Sequence, residues 1–226
     1  MSARRGTNGV IPITGAAGCV QPTELFESEA RRRGYRRVAG IDEAGRGPLA
    51  GPVAAAAVIL PRRCLLPTLN DSKLLDERER DRLYDQIMAR AIGVGLGFAD
   101  PGEIDRLNIL EATRLAMRCA VAVLCPVPDY LLLDAVVLRG VASPQRPIIK
   151  GDGLSVSIAA ASIIAKVSRD RLMREAHLRY PQYAFDVHKG YPTPDHLRLL
   201  AQYGPCEIHR RSFRPVSDYC QAVRHE

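Results

Sequence analysis

The sequence predicts a single α/β domain with a helical C-terminal region. Three observations carry this. Two apolar segments, Val38–Asp42 and Gly51–Leu60, flank a glycine-rich turn. Residues 92–99 alternate with strict period two, and beyond them helical and strand patterns alternate with no long linker and no internal repeat.

Taken in order, residues 1–23 are rich in Gly, Pro, Thr and Ala without periodicity and read as a flexible tail ahead of a domain spanning 24–226. Thr23–Arg33 reads as a short helix, with Thr23 as its cap and Glu24 in the first turn. Val38-Ala39-Gly40-Ile41-Asp42 is a buried strand, and Gly51–Leu60 is a second, near enough to pair with it antiparallel. Asp76–Arg90 is a charged helix with Leu83, Ile87 and Met88 on one side. Ile92, Val94, Leu96 and Phe98 then alternate with three glycines and Ala99, which leaves one face almost bare for close packing. Ile109–Leu124 is helical, Tyr130–Asp134 a short buried strand and Pro147–Lys150 another. Ser157–Tyr180 is a long Ala-rich helix whose first half is too apolar to be exposed, and His196–Tyr203 is a short helix.

Composition narrows the class. Apolar residues make up 46% and charged residues 25%, as in soluble globular chains. The longest nearly uncharged stretch, Gly47–Leu60, is shorter than the roughly 20 residues of a membrane span. Arg4 and Arg5 precede no compact apolar segment, so no secretory signal is read and the expected address is the cytoplasm. Six cysteines without a Cys-x-x-Cys pair argue against a zinc site; most are expected reduced and several buried. The net charge of +7 favours a polyanionic partner. Arg31, Arg32, Arg33, Arg36, Arg37 and the closing run His209–Arg214 fit either a nucleic-acid surface or a solvated face.

The acids are the chemically informative residues. Asp42-Glu43 ends an apolar strand, Asp134 follows Leu131-Leu132-Leu133, and Asp152 sits between two glycines. A carboxylate at a buried strand end is costly unless a cation or hydrogen bonds offset it. Neighbouring acids also repel, and divalent metal removes both problems. Hard oxygen ligands suit Mg2+ or Mn2+, two of which can lie roughly 3.5–4 Å apart for phosphodiester cleavage. The alternative is that each acid is satisfied by its own arginine or backbone amide, and spacing alone does not choose between the two.

The segment Ala39-Gly40-Ile41-Asp42-Glu43-Ala44-Gly45-Arg46-Gly47-Pro48-Leu49-Ala50-Gly51-Pro52-Val53 resembles the opening signature of type HII ribonucleases. Asn70-Asp71-Ser72-Lys73-Leu74, Leu133-Asp134, Lys150-Gly151-Asp152, the run Ala159–Val167 continuing into Arg169-Asp170-Arg171, His188-Lys189-Gly190-Tyr191 and Ile208–Phe213 follow in family order. The resemblance, over about residues 37–216, implies a ribonuclease H-like fold: a mixed five-stranded sheet, its first three strands antiparallel, flanked by helices. It implies an endonuclease acting on RNA–DNA hybrids and on duplex DNA 5′ of embedded ribonucleotides, leaving 3′-hydroxyl and 5′-phosphate ends. Asp42, Glu43, Asp134 and Asp152 match the family's four metal-binding carboxylates, and Mg2+ or Mn2+ at a two-ion site is implied with them. Gly45-Arg46-Gly47 matches the loop that reads the ribonucleotide 2′-hydroxyl, and Tyr191 the tyrosine that packs on the deoxyribose beyond the junction. Lys73 and Lys166 are candidate phosphate neighbours; His188 and His209 are expected to pack rather than touch substrate.

Departures are few. The residues before Arg37 are too few for the added N-terminal substrate-binding domain of a related class, and no clamp-binding peptide is recognisable after Val216. A monomer is expected. Holliday-junction resolvases and integrases share clustered acids but lack Gly45-Arg46-Gly47 paired with a downstream Tyr191. A binding protein without catalysis would be favoured by loss of an acid, and all four are present.

Overall fold

A computed structural model describes residues 21–64, 66–69, 72 and 75–222. Most of the predicted tail, and Lys73, lie outside these residues.

Five strands form one mixed sheet: β1 (Val38–Ala44), β2 (Val53–Ile59), β3 (Gly93–Ala99), β4 (Tyr130–Asp134) and β5 (Gln145–Ile148), in the order β3-β2-β1-β4-β5. β2 is antiparallel to both β1 and β3, whereas β4 runs parallel to β1 and β5 to β4. The helices are α1 (Leu25–Arg32), α2 (Glu77–Arg90), α3 (Pro101–Leu107), α4 (Ile109–Val123), α5 (Val156–Arg179), α6 (Phe185–His188), α7 (Pro194–Tyr203) and α8 (Val216–Ala222). Tight 3-10 turns cover Gly151–Gly153 and Pro181–Tyr183. Among the described residues no helix is long and apolar enough to cross a membrane.

Period-two alternation splits the strands between two cores. Ala39, Ile41, Leu131 and Leu133 pack with Ala112, Ala116 and Ala120 of α4, while Ala56 and Val58 pack on the other face with Leu83, Ile87 and the first half of α5. The bare face of β3 meets α4 backbone, as its pattern predicts. A Cβ at Gly95 would lie 2.1 Å from the Ala120 carbonyl oxygen, and one at Gly97 2.1 Å from that of Ala116. On the other face Gly40 lets β1 press against the start of α5, where a Cβ would lie 2.0 Å from the Ser157 carbonyl carbon. That start is fixed by Ser155, whose hydroxyl accepts from the Ile158 N–H (3.3 Å). Glu27 of α1, fully buried, accepts from the Ser155 hydroxyl (2.6 Å) and the Ser157 N–H (3.0 Å). A carboxylate suits a helix N-terminus.

Several sequence expectations need correction. Thr23 is no helix cap: its N–H donates to the Leu154 carbonyl (3.0 Å) in a parallel bridge to Ser155, and Glu24 takes the cap position. Met88 lies off the buried stripe of Leu83 and Ile87 and is 46% exposed. The strand predicted over 147–150 ends at Ile148, because Lys150 turns to φ 57°; Pro147, lacking an N–H, is accommodated because β5 is an edge strand. Helix α3 was not predicted, although Asp100 and Glu103 form a capping box around Pro101. None of the five described cysteines is fully buried, and all are free thiols. The two arginine runs are only partly solvated: Arg31 pairs with Glu24 (3.0 Å), Arg37 with Asp129 (3.6 Å), and Arg210 is buried outright.

Candidate active site

Strand pairing builds the acidic wall. The last paired residues of β1 and β4 are Ile41 and Leu133, so Asp42 and Asp134 stand side by side one step beyond, at the C-terminal ends of neighbouring parallel strands. Asp42 shares the strand face of Gly40, toward α5, where the Ser162 hydroxyl bonds it. The Ser162 hydroxyl lies 2.9 Å from that of Ser72. Glu43 follows on β1; one carboxylate oxygen accepts from Arg46 (3.3 Å), and the other is buried without a hydrogen-bond partner.

These acids line a cleft of about 250 Å³ together with residues 44–47, Ser72, Ser162, Lys166 and Tyr191. Of the residues singled out in the sequence, Asp42, Glu43, Asp134, Gly45, Arg46, Gly47, Lys166 and Tyr191 therefore share one space. Asp152 does not line it. It is buried in the adjoining 3-10 turn, which is tied to the site through the Gly151 N–H donating to Asp134 (2.8 Å). Among the described residues no three His, Cys, Asp or Glu side chains are already drawn together as a metal-holding group.

The electrostatics are those of crowded anions. Burial pushes the Asp42 carboxyl well above its ordinary range, and the charges of Glu43 and Asp134 push it further. Burial also raises Glu43, against the pull of Arg46. Lys166 is held by Asp170 (2.8 Å), with its ammonium 5.5 Å from the centre of the Tyr191 ring.

Residues 45–51 are fixed from behind by the C-terminal region. The Leu49 N–H donates to Gly190 (2.8 Å), Gly51 N–H to Ile208 (2.9 Å) and Arg210 N–H to Leu49 (2.8 Å). His188, His196 and His209 are buried packing residues, as expected for the two named from sequence. The His196 ring bonds the Tyr191 carbonyl (2.9 Å) and the His209 ring (3.1 Å), and so supports the tyrosine's backbone. Ser72 and Ser162, both within the motifs quoted above, line the site as well; for Ser162 a serine inside an apolar helix is the sequence signal.

A family model described as Ribonuclease HII matches residues 39–216. The chain belongs to the ribonuclease HII family. It is 57% identical over 197 residues to the ribonuclease HII of Geotalea uraniireducens, covering 87% of this chain and 91% of that one. The ribonuclease HII of Bacillus licheniformis is 58% identical over 196 residues, covering 87% and 76%. Among solved structures, the ribonuclease H2 of Pyrococcus horikoshii superposes with a TM-score of 0.70 at 25% identity, covering 84% of this chain and all of that one. The ribonuclease HII of Archaeoglobus fulgidus, solved as a complex with PCNA, shares the fold at TM-score 0.68 and 22% identity, over 79% and 96%. The ribonuclease H-like fold is thereby established, and the family's activity with it: endonucleolytic, metal-dependent hydrolysis of RNA in RNA–DNA hybrids.

Proposed function

We propose that the chain, besides cutting hybrids, incises duplex DNA on the 5′ side of an embedded ribonucleotide, leaving 3′-hydroxyl and 5′-phosphate ends as ribonucleotide excision repair requires. One observation carries this reading: residues 45–47 and Tyr191 line the same cleft as Asp42, Glu43 and Asp134. The acids that would cut and the groups that would recognise a sugar hydroxyl stand within one substrate's reach.

Asp42, Glu43 and Asp134, with Asp152 from the adjoining turn, would hold two Mg2+ or Mn2+ ions. The donor set fits hard cations: every donor is a carboxylate, Glu43 keeps a buried oxygen without a hydrogen-bond partner, and burial followed by the charges of Glu43 and Asp134 raises Asp42. Such ions supply a reactive water at neutral pH and stabilise the departing oxygen. The chain's own residues do the rest. The backbone of 45–47 approaches the ribose closely because Gly47 presents no side chain to the cleft, while bare Gly45 makes room for Arg169 behind the loop. Arg46 and Lys166 contact phosphate, and the Tyr191 ring packs on the next sugar.

The test is a duplex carrying one ribonucleotide, incubated with the protein and Mg2+ or Mn2+. A single nick 5′ of the ribonucleotide with a 3′-hydroxyl end is expected, and Asp42→Asn and Asp134→Asn should bind but not cut. An intact duplex beside a digested RNA–DNA hybrid would refute the ribonucleotide assignment; near-normal rates in either variant would refute the site.

A further inference from the structure

The groups read above as substrate-recognising come from two distant stretches of chain, and what joins them lies underneath. Among the described residues Arg169 and Arg210 are the two largest fully buried side chains, each 0% exposed. Their side-chain hydrogen bonds among the described residues all go to backbone carbonyls. Arg210 donates to Gly45 (2.6 Å), Arg46 (3.0 Å) and Gly51 (3.0 Å); Arg169 donates to Ala50 (3.0 Å), Pro52 (2.9 Å) and Lys189 (3.0 Å). Among the described residues no carboxylate forms an ion pair with either; Asp170, beside Arg169, is held by Lys166.

Two neighbouring buried cations that make no direct ion pair, with Asp170 and Asp105 acting on them only at a distance, are an expensive way to pack a core. Burial lowers Arg169, and burial together with the charge of Arg169 lowers Arg210 to about 9. Apolar side chains of similar volume would strip these six carbonyls of their guanidinium donors, so the forks serve to hold that backbone rather than to fill space.

Their geometry says what. In a trans peptide the carbonyl and the N–H point to opposite edges. With the Gly45 and Arg46 carbonyls turned down onto Arg210, the N–H groups of Arg46 and Gly47 are directed away from it, in residues that line the cleft. A guanidinium on the carbonyl also polarises each amide and strengthens its N–H as a donor. Arg169 extends the same clamp to the other reader: it holds the Lys189 carbonyl two residues before Tyr191, and its guanidinium lies 5.6 Å from the centre of that ring. The fit is tight, since a Cβ at Gly45 would meet the Arg169 Nε at 2.1 Å.

We propose that Arg169 and Arg210 are positioning residues for substrate discrimination, setting the peptide planes of residues 45–47 and locking that loop to the Tyr191 turn. Selectivity for a lone ribonucleotide then depends on two side chains that touch no substrate. The inference rests on the reading of residues 45–47 and Tyr191 given above.

Arg210→Lys keeps the charge but cannot fork to three carbonyls, and Arg169→Lys makes the same change from the other side. Exposed Arg198→Ala, remote from the cleft lining, serves as control. Each full-length variant is assayed with Mg2+ on a single-ribonucleotide duplex and on a uniform RNA–DNA hybrid, with kcat and KM separated, at a temperature where circular dichroism shows it folded. At least one lysine variant should lose tenfold more kcat/KM on the single ribonucleotide than on the hybrid, chiefly through kcat. Equal losses on both substrates, or a fall in melting temperature with unchanged kinetics, would overturn the proposal. Should neither lysine variant fold, hydrogen exchange on the wild type decides: Arg46 and Gly47 amides that exchange as freely as a solvent-exposed loop, with or without metal-free hybrid, would overturn it, and protection only with hybrid would support it. Failure of the wild type itself to cut the single ribonucleotide would instead sink the underlying reading.

Discussion

Gly47→Ala separates recognition from folding. Gly47 is exposed, lines the cleft and has an ordinary backbone conformation; a Cβ there would meet nothing nearer than the Tyr191 Cε1, at 3.9 Å. That is simple van der Waals contact, so the folded state should keep its stability within about 0.5 kcal/mol. The methyl nevertheless stands about 1.5 Å proud of the backbone, in the gap between loop and ring that a ribose would enter. Displacing a reacting sugar by that much costs on the order of 100-fold in rate, or about 2.7 kcal/mol of transition-state stabilisation. The assay is kcat/KM on the single-ribonucleotide duplex beside a denaturation curve. Gly45→Ala provides the contrast: with φ +94° and Arg169 at 2.1 Å, it should lose stability as well as activity. Wild-type kinetics in a folded Gly47→Ala protein would refute the claim that this gap receives the sugar.

Three further outcomes are expected. Asp42 has a folded-state value raised above its unfolded one, so its contribution is present at low pH and lost as pH rises through the raised value. Asp42→Asn should therefore melt higher than wild type at neutral pH without metal, by several degrees if about 1 kcal/mol is worth 2–4 °C in a chain of this size. Mn2+ should raise the wild-type midpoint and leave the variant's nearly unmoved; equal shifts would contradict this. His196 and His209, lowered to about 4 by burial, act in the opposite sense. Their neutral forms stabilise the fold above about pH 6.5, and this is lost as pH falls toward 4, by up to about 1.4 kcal/mol per pH unit for each ring; a His209→Gln protein with an unchanged pH slope in urea would count against it. Gly40→Ala should lose about 3 kcal/mol or more, because its methyl would lie 2.0 Å from α5 backbone that cannot give way locally. An unchanged denaturation midpoint would show that the two elements are not in such contact.

Much of this molecule is legible in local pattern. The apolar runs of β1 and β2, the alternation of β3 and the Ala-rich first half of α5 each announce their burial through residue type alone, and the glycines of β3 announce a close neighbour. Asp42, Glu43 and Asp134 stand out because a carboxylate at an apolar strand end demands an explanation. Helix α3 is equally legible, since Asp100-Pro101-x-Glu103 is a capping signature. What no local pattern holds is which distant residues meet. The parallel pairing of β4 with β1 brings Asp134 beside Asp42 and leaves Asp152 one turn behind the cleft. Arg210 looks in sequence like a member of a solvated basic run, and Arg169 stands in a family motif between a serine and an aspartate with nothing to mark it as buried. Only packing reveals them as buried cations, because a guanidinium's fate depends on which carbonyls the rest of the chain delivers to it. By itself the sequence determined the elements, the family motifs and the chemistry of the acids; the tertiary structure decided their convergence, since contacts between residues far apart in the chain are set by how whole faces pack.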